Sequence, residues 1–243
     1  MKPYIFEERN GICIINLAKT MQQIRTAVQI VGDVVKDRKS ILFVGTKKQA
    51  KGVIRECAED AGEFYVCERW LGGMLTNLAT MRHSVKTLER IEKKLAAGGE
   101  GLTKKEVSLL GKEQVKLDRN LSGIRAMRKT PGLVILVDPS REHIAVKEAK
   151  KLGIPVMALV DTNCNPEPID HVIACNDDAL KSVKLILSTL TQEIINQKNI
   201  LKIAIETEEE APAKEEMEMA EEAEAKEKEE APAAEKKTEE ESP

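Results

Sequence analysis

Apolar positions recur along this chain in two rhythms, unbroken short runs and helical three-to-four spacing, and the two alternate. The clearest alternation lies between Pro131 and Pro166. Leu133 to Val137 is an apolar run closed by Asp138 and Pro139, which reads as a strand buried on both faces. Ser140 is placed to cap a helix, and Glu142 suits that helix's positive first turn. Ile144, Ala145, Ala149 and Leu152 then fall at helical spacing, with Lys147, Glu148, Lys150 and Lys151 assigned to the wet side. Gly153 ends the helix and Pro155 forbids its return. Val156 to Val160 gives a second buried run. Strand, helix and strand joined by tight loops predict parallel pairing with a right-handed crossover.

The same alternation appears on either side. Ile12 to Leu17 reads as a short strand, and Ile24, Val28, Val31 and Val35 mark an amphipathic helix over Thr20–Val35. Ser40 to Val44 (SILFV) is another buried strand. Gly45 turns it, and Thr46 with Gln49 forms a capping box for a helix to about Ala61, which Gly62 ends. Phe64 to Cys67 and Val172 to Ala174 are further strands. Asn176, Asp177 and Asp178 open a helix bearing Leu180, Val183, Leu187, Leu190 and Ile194. The pattern predicts an α/β fold, a doubly wound Rossmann- or flavodoxin-like parallel sheet, over 1–77 and 127–205.

Between them, over 78–126, no strand pattern occurs. Leu78, Met81, Val85, Leu88, Ile91 and Leu95 form a near-heptad seam with charges around it. Gly98, Gly99 and Gly101 break the seam, Thr103 with Glu106 makes a second capping box, and Val107, Leu110, Leu117, Leu121 and Ile124 resume it. The expectation is an inserted antiparallel helical hairpin, each arm about 30 Å long, protruding from the α/β body. Two ordinary surface helices are the plainer alternative.

Charge changes the picture next. The net charge is −3, from 38 basic and 41 acidic residues. Residues 206–243 hold 17 of the acidic and 5 of the basic ones, a net of −12, which leaves +9 on the rest. The segment from Glu206 is too polar to bury anything, so a disordered acidic tail is expected over 206–243. It either solubilises the chain or screens the basic body, and that body suits a polyanionic partner. No apolar run reaches membrane-spanning length and no signal core opens the chain, so a soluble, cytoplasmic protein without membrane contact is expected. Cys13, Cys57, Cys67, Cys164 and Cys175 are scattered, with no pair at CxxC spacing, as for reduced thiols.

Candidate chemistry is sparse. Gly45 to Gly52 (GTKKQAKG) stands where a phosphate loop would, yet neither GxxxxGK[ST] nor GxGxxG occurs. The three histidines are far apart, and HExxH and GxSxG are missing. No catalytic residue, metal or cofactor is called for, although Asp138 and Asp161 sit at carboxyl ends of strands, where such sheets bind ligands. Lys47 and Lys48, at a helix start, oppose the dipole unless an anion is held there. In RWLGGMLTN, Gly72 and Gly73 permit close approach, and Arg69, Thr76 and Asn77 can bond phosphate or sugar oxygens. Trp70 and Asn77 also have structural readings, as core anchor and helix cap. With 2% aromatics, recognition of RNA shape and phosphates fits better than base stacking.

These residues resemble a known family, the bacterial-type small-subunit ribosomal protein two. The resemblance covers Met1 to about Lys198 and rests on MKPYIFEERNGICIINLAKT, ILFVGTKKQA, RWLGGMLTN, the PxxVILxDxxxExxxVxExxxxGIP pattern of Pro131–Pro155, ALVDTNCNP and NDDA. The family usually carries a further segment, with a GxHFGH-like stretch, ahead of the first motif, and this chain begins at the Met inside it. The resemblance implies a parallel-sheet domain with an inserted hairpin and a structural, non-catalytic role on small-subunit ribosomal RNA between head and body. It also implies docking of small-subunit ribosomal protein one beside neighbouring small-subunit proteins. On this reading Lys47, Lys48, Arg69, Trp70, Thr76, Asn77 and Arg82 form the RNA-binding set, with Lys47, Lys48, Arg69 and Arg82 on phosphates. A nucleotide- or phosphosugar-binding enzyme and a purely protein-binding scaffold are the competing classes.

Overall fold

The computed structural model describes residues 1–98 and 103–203. The chain divides into two units, Met1–Gln197 and a second that begins at Lys198. The second is helical over 198–203, and the acidic tail expected over 206–243 lies outside the described residues.

The chain opens with strands β1 (Ile5–Arg9) and β2 (Ile12–Ile15), paired antiparallel as a separate two-stranded sheet. Asn10 and Gly11, both at positive φ (51° and 76°), make the tight turn between them. The expected strand at Ile12–Leu17 is thus half of a hairpin and takes no place in the main sheet. Helix α1 (Leu17–Lys36) follows, capped by Asn16, whose side chain accepts from the amides of Ala18 and Lys19.

The main sheet holds β3 (Ile41–Val44), β4 (Phe64–Val66), β5 (Leu133–Val137), β6 (Val156–Val160) and β7 (His171–Ala174). All pairings are parallel and the order is β4-β3-β5-β6-β7. In chain order this is 2-1-3-4-5, the flavodoxin-like winding, with its switch point between β3 and β5. Leu42, Val44, Val134, Leu136, Val156 and Ala158 pack one face onto Ala145, Val146 and Ala149 of α5 (His143–Lys151). The alternate residues turn to the other face. There α2 (Lys51–Ala61) approaches so closely that a Cβ on Gly45 would meet Ile54 at 2.4 Å and Val137 at 3.2 Å. Helix α6, over 180–197 of the first unit, packs beside α1 at Gly32 and pairs with α2 through Lys184 and Glu56 at 3.0 Å. Helices on both faces make the sheet doubly wound.

Several local expectations need correction. Thr46 does not cap α2: that helix begins at Lys51 after Ala50, because Thr46 bonds elsewhere. Ser140 does not cap α5, which starts at His143 after Glu142. Glu148, assigned to the wet side, is buried, whereas Ile144, assigned to the core, is 44% exposed. Helix α6 starts at 180, two residues beyond Asp178, and Asn176 accepts from the amides of Asp178 and Ala179 ahead of it.

Between β4 and β5 stand α3 (Leu78–Ala96) and α4 (Lys104–Leu121), packed on each other and joined by a short connection, hence antiparallel. Thr103 and Glu106 form the predicted capping box. Val85, Leu88, Ile91, Leu121 and Ile124 of the seam are buried, while Val107, Leu110 and Leu117 are half-buried. Glu68 fastens the hairpin to the sheet by accepting two bonds from Arg119, at 2.7 and 2.9 Å, beside one from Lys51 at 2.8 Å.

Candidate nucleic-acid interface

The carboxyl ends of β3 and β5 flank the switch point, where doubly wound folds hold phosphate groups. Here the chain fills that position itself. Glu142, 3% exposed, accepts from the Thr46 amide at 3.0 Å and from its hydroxyl at 2.5 Å. Arg141 donates to the same hydroxyl at 3.1 Å. The amide and hydroxyl of Thr46, donors that could otherwise face a phosphate at this position, are thus already taken by an internal carboxylate.

Lys47, expected to reach RNA phosphate, turns inward instead. Its ammonium lies 2.6 Å from both Asp177 and Asp178 and 4.0 Å from Asp138. Its side chain is 12% exposed and that of Asp177 1%. Burial pulls the Lys47 ammonium toward neutrality, but the bonds to Asp177 and Asp178 outweigh it and hold the pKa above the ordinary lysine value. Burial pushes the Asp177 carboxyl up to about 6, against the pull of Lys47. Its Oδ2 is buried with no hydrogen-bond partner among the described residues. Ligand atoms of Asp161, Asp177 and Asp178 come within 4.8 Å of one another, as do those of Asp138, Cys164 and Asp177. Oxygen-rich sets suit a hard cation, and Asp138, Asp177 and Asp178 of these sets already face the Lys47 ammonium. Burial pushes the Cys164 thiol up to about 11 and Cys175 to about 12, so neither is a ready thiolate.

The RWLGGMLTN segment wraps a single carboxylate. Glu148, 8% exposed on α5, takes the Trp70 indole N–H at 3.1 Å and the Gly73 amide at 2.7 Å on Oε1. Its Oε2 takes the amides of Leu75 (3.0 Å) and Thr76 (3.1 Å) and the Thr76 hydroxyl (3.1 Å). Burial alone would raise this carboxyl, but donors from Thr76, Gly73, Trp70 and Leu75 win and hold it below the usual glutamate range. Gly73 sits at φ 89°, which lets its amide turn toward the carboxylate. Trp70 is therefore a core anchor at 6% exposure, its polar edge already used. Asn77 does take the N-cap position of α3, but its side chain accepts from the Thr80 hydroxyl at 2.8 Å rather than from a backbone amide.

Of the seven expected RNA contacts, then, Lys47 and Trp70 are directed inward, and Thr76, though exposed, has its amide and hydroxyl engaged by Glu148. Lys48, Arg69, Asn77 and Arg82 are exposed, and the three cations enter no ion pair among the described residues. Lys48 and Arg69 follow β3 and β4, whereas Asp138, Asp161 and Asp177 follow β5, β6 and β7. The carboxyl edge of the sheet is basic at one end and acidic at the other. No described helix is long and apolar enough to cross a membrane.

A family model for ribosomal protein S2 matches residues 1–197. A small ribosomal subunit protein uS2 from Protochlamydia amoebophila is 71% identical over 216 residues, covering 89% of this chain and 79% of the relative. The protein of the same name from Chlamydia pneumoniae is 63% identical over 205 residues, 84% of this chain and 74% of the relative. That from Chlamydia trachomatis serovar D is 58% identical over 221 residues, 90% and 78% respectively. On these matches the chain belongs to the ribosomal protein S2 family of the small ribosomal subunit, with a structural and not a catalytic part in translation.

Proposed function

We propose that the chain takes its place in the cytoplasmic small subunit by binding small-subunit ribosomal RNA through phosphates, with Lys48, Arg69, Asn77 and Arg82 as contacts. Lys47, Trp70 and Thr76 then serve as the frame behind them. The carrying observation is that Lys48, Arg69 and Arg82 stand exposed and, among the described residues, without ion pairs, the two arginines flanking a segment that Glu148 locks from behind. Cations already unpaired need break no bond to meet a phosphate, and a rigid frame loses little entropy on binding. With Trp70 buried, no exposed indole offers a stacking platform.

Each cation that contacts a phosphate adds just under one to the slope of log affinity against log salt. The variant Lys48→Gln/Arg69→Gln/Arg82→Gln is therefore expected to lower the slope for small-subunit ribosomal RNA by about 2–3. It should also leave the small-subunit peak on sedimentation at moderate salt. An unchanged slope removes these residues from the interface, and a parent chain absent from the small-subunit peak at low salt defeats the reading as a whole.

The docking of small-subunit ribosomal protein one is part of the same proposal. An apolar groove of about 530 Å³ supports it, with Leu17 (73% exposed), Met21 and Leu185 on its rim. Exposed apolar area of this kind marks protein contact surfaces. Leu17→Glu with Leu185→Glu is expected to strip protein one from purified subunits while the variant itself stays bound. Retention of protein one at parental levels would clear this groove of the role.

A further inference from the structure

We propose a second RNA-backbone site on the opposite, amino-terminal edge of the sheet, built from Arg38, Lys39, Arg128 and Lys129. It rests on the reading of the chain as an RNA-binding protein and adds a second segment of that RNA. A groove of about 690 Å³ opens there between the end of α1, the chain entering β5 and the loop before β6. Four cations line it, and no carboxylate is among its lining residues. The ion pair among them that the structure shows joins Lys39 to Asp37 at 3.0 Å, with both side chains more than half exposed, a pairing too solvated to neutralise the groove.

The groove is built rather than incidental. Arg38 holds φ 54°, a left-handed cap position at the end of α1 that favours glycine. Its amide donates to Val35 O at 2.9 Å and that of Lys39 to Val34 O at 3.2 Å. An arginine is kept where glycine would be less strained. The dipole of α1 favours a cation there, but it does not account for Arg128 and Lys129, which lie beyond the end of α4 and its terminal turn. Those two are pinned between Met127 and Pro131, both buried. Lys39 is held as well: a Cβ on Gly132 would come 2.5 Å from its Cβ, so its stem crosses directly over the start of β5. Open to solvent and lined by four cations and no carboxylate, with the nearby Glu63 and Asp170 carboxylates engaged by the amides of Ile41 and Val156, the groove suits the phosphates of a passing polynucleotide strand.

Strands of three to five residues set the two edges roughly 10–15 Å apart, at about 3.3 Å per residue. One phosphate cannot serve both. The domain would thus bridge two RNA segments, one at Lys48, Arg69 and Arg82 and one at this groove.

The test compares the parent, Arg38→Gln/Arg128→Gln/Lys129→Gln and Arg69→Gln/Arg82→Gln on purified small-subunit ribosomal RNA. The readouts are salt-dependent binding and hydroxyl-radical footprints, with thermal melting as the folding control. The groove variant should melt like the parent, lose about 2–3 from the salt slope and lose one patch of protection while keeping another. The Arg69/Arg82 variant should show the converse. The charge-keeping variant Arg38→Lys/Arg128→Lys should retain both patches. A groove variant with parental slope and footprint overturns this proposal and leaves the RNA reading standing. A parent chain that protects no RNA overturns both.

Discussion

A Glu148→Ala chain is expected to melt about 10 °C below the parent. The side chain accepts five hydrogen bonds in a buried position, from Trp70, Gly73, Leu75 and both donors of Thr76. Its removal leaves the Leu75 amide and the Trp70 indole without partners inside the core, where each unmade bond costs about 1–3 kcal/mol. A total near 3–5 kcal/mol, at about 2–4 °C per kcal/mol for a chain of this size, gives the stated shift. Glu148→Gln should fall between the two, since its amide presents donors to donors. The carboxyl is held below the usual glutamate range in the folded state, so its stabilisation is present above about pH 4.5 and is lost as pH falls through the depressed value. The gap between the parent and Glu148→Gln should therefore close in acid. Trp70 is the chain's single tryptophan, so its fluorescence reports the same event directly. A Glu148→Ala chain melting within 2 °C of the parent, with unshifted emission, would mean that this carboxylate does not organise the segment.

Periodicity carried most of the fold and little of the site. The apolar runs at Leu133–Val137 and Val156–Val160 could be read as buried parallel strands because no other element shows five apolar residues between turn signals. The hairpin was legible from its seam and from the Thr103–Glu106 box. Asn10-Gly11 announces the β1–β2 hairpin, but a strand assigned to Ile12–Leu17 alone leaves its partner, Ile5–Arg9, unpaired in the sequence reading. Glu148 was placed on the wet side by residue type alone. Its spacing, three after Ala145 and four before Leu152, already put it on the apolar face of α5. A carboxylate on such a face announces internal donors, and the glycine pair of RWLGGMLTN was the matching signal. What could not be read was the direction of Lys47. Asp177 and Asp178 lie 130 residues away in sequence, and only the winding of β3 and β7 into one sheet brings them to its ammonium.

On the proposed function, that winding also separates structural from functional charge. Two lysines adjacent in sequence take opposite roles, because Lys47 meets the acidic end of the carboxyl edge and Lys48 faces solvent. Glu142 takes the Thr46 amide and hydroxyl at the switch point, donors that a small anion could otherwise use. On the proposed function, the exposed cations Lys48, Arg69 and Arg82 meet a partner too large to enter a pocket, which is the character of a folded RNA.

Lys47→Met is expected to be strongly destabilising at neutral pH and markedly less so in mild acid. Methionine keeps the bulk of the side chain but removes the cation facing Asp177 and Asp138, both nearly buried. Breaking a buried pair on one side costs about 3–5 kcal/mol, chiefly from the charge left behind. Asp178, 68% exposed, is solvated anyway and adds little. With Lys47 present, burial already raises the Asp177 carboxyl to about 6, against an ordinary value of 3.8, and loss of the ammonium moves it higher. Between about pH 4 and that raised value, the folded chain holds a proton that the unfolded chain has released, so unfolding free energy falls as pH rises. The melting gap between variant and parent should accordingly be widest near pH 8 and narrowest near pH 5. Adding Asp177→Asn should recover part of the loss at pH 8 and none at pH 5, a coupling that a double-mutant cycle isolates. Where the variant is folded, its RNA salt slope should equal the parent's, since Lys47 is framework and not contact. A gap constant across this range, or a slope lowered by one, would return Lys47 to the RNA-facing surface.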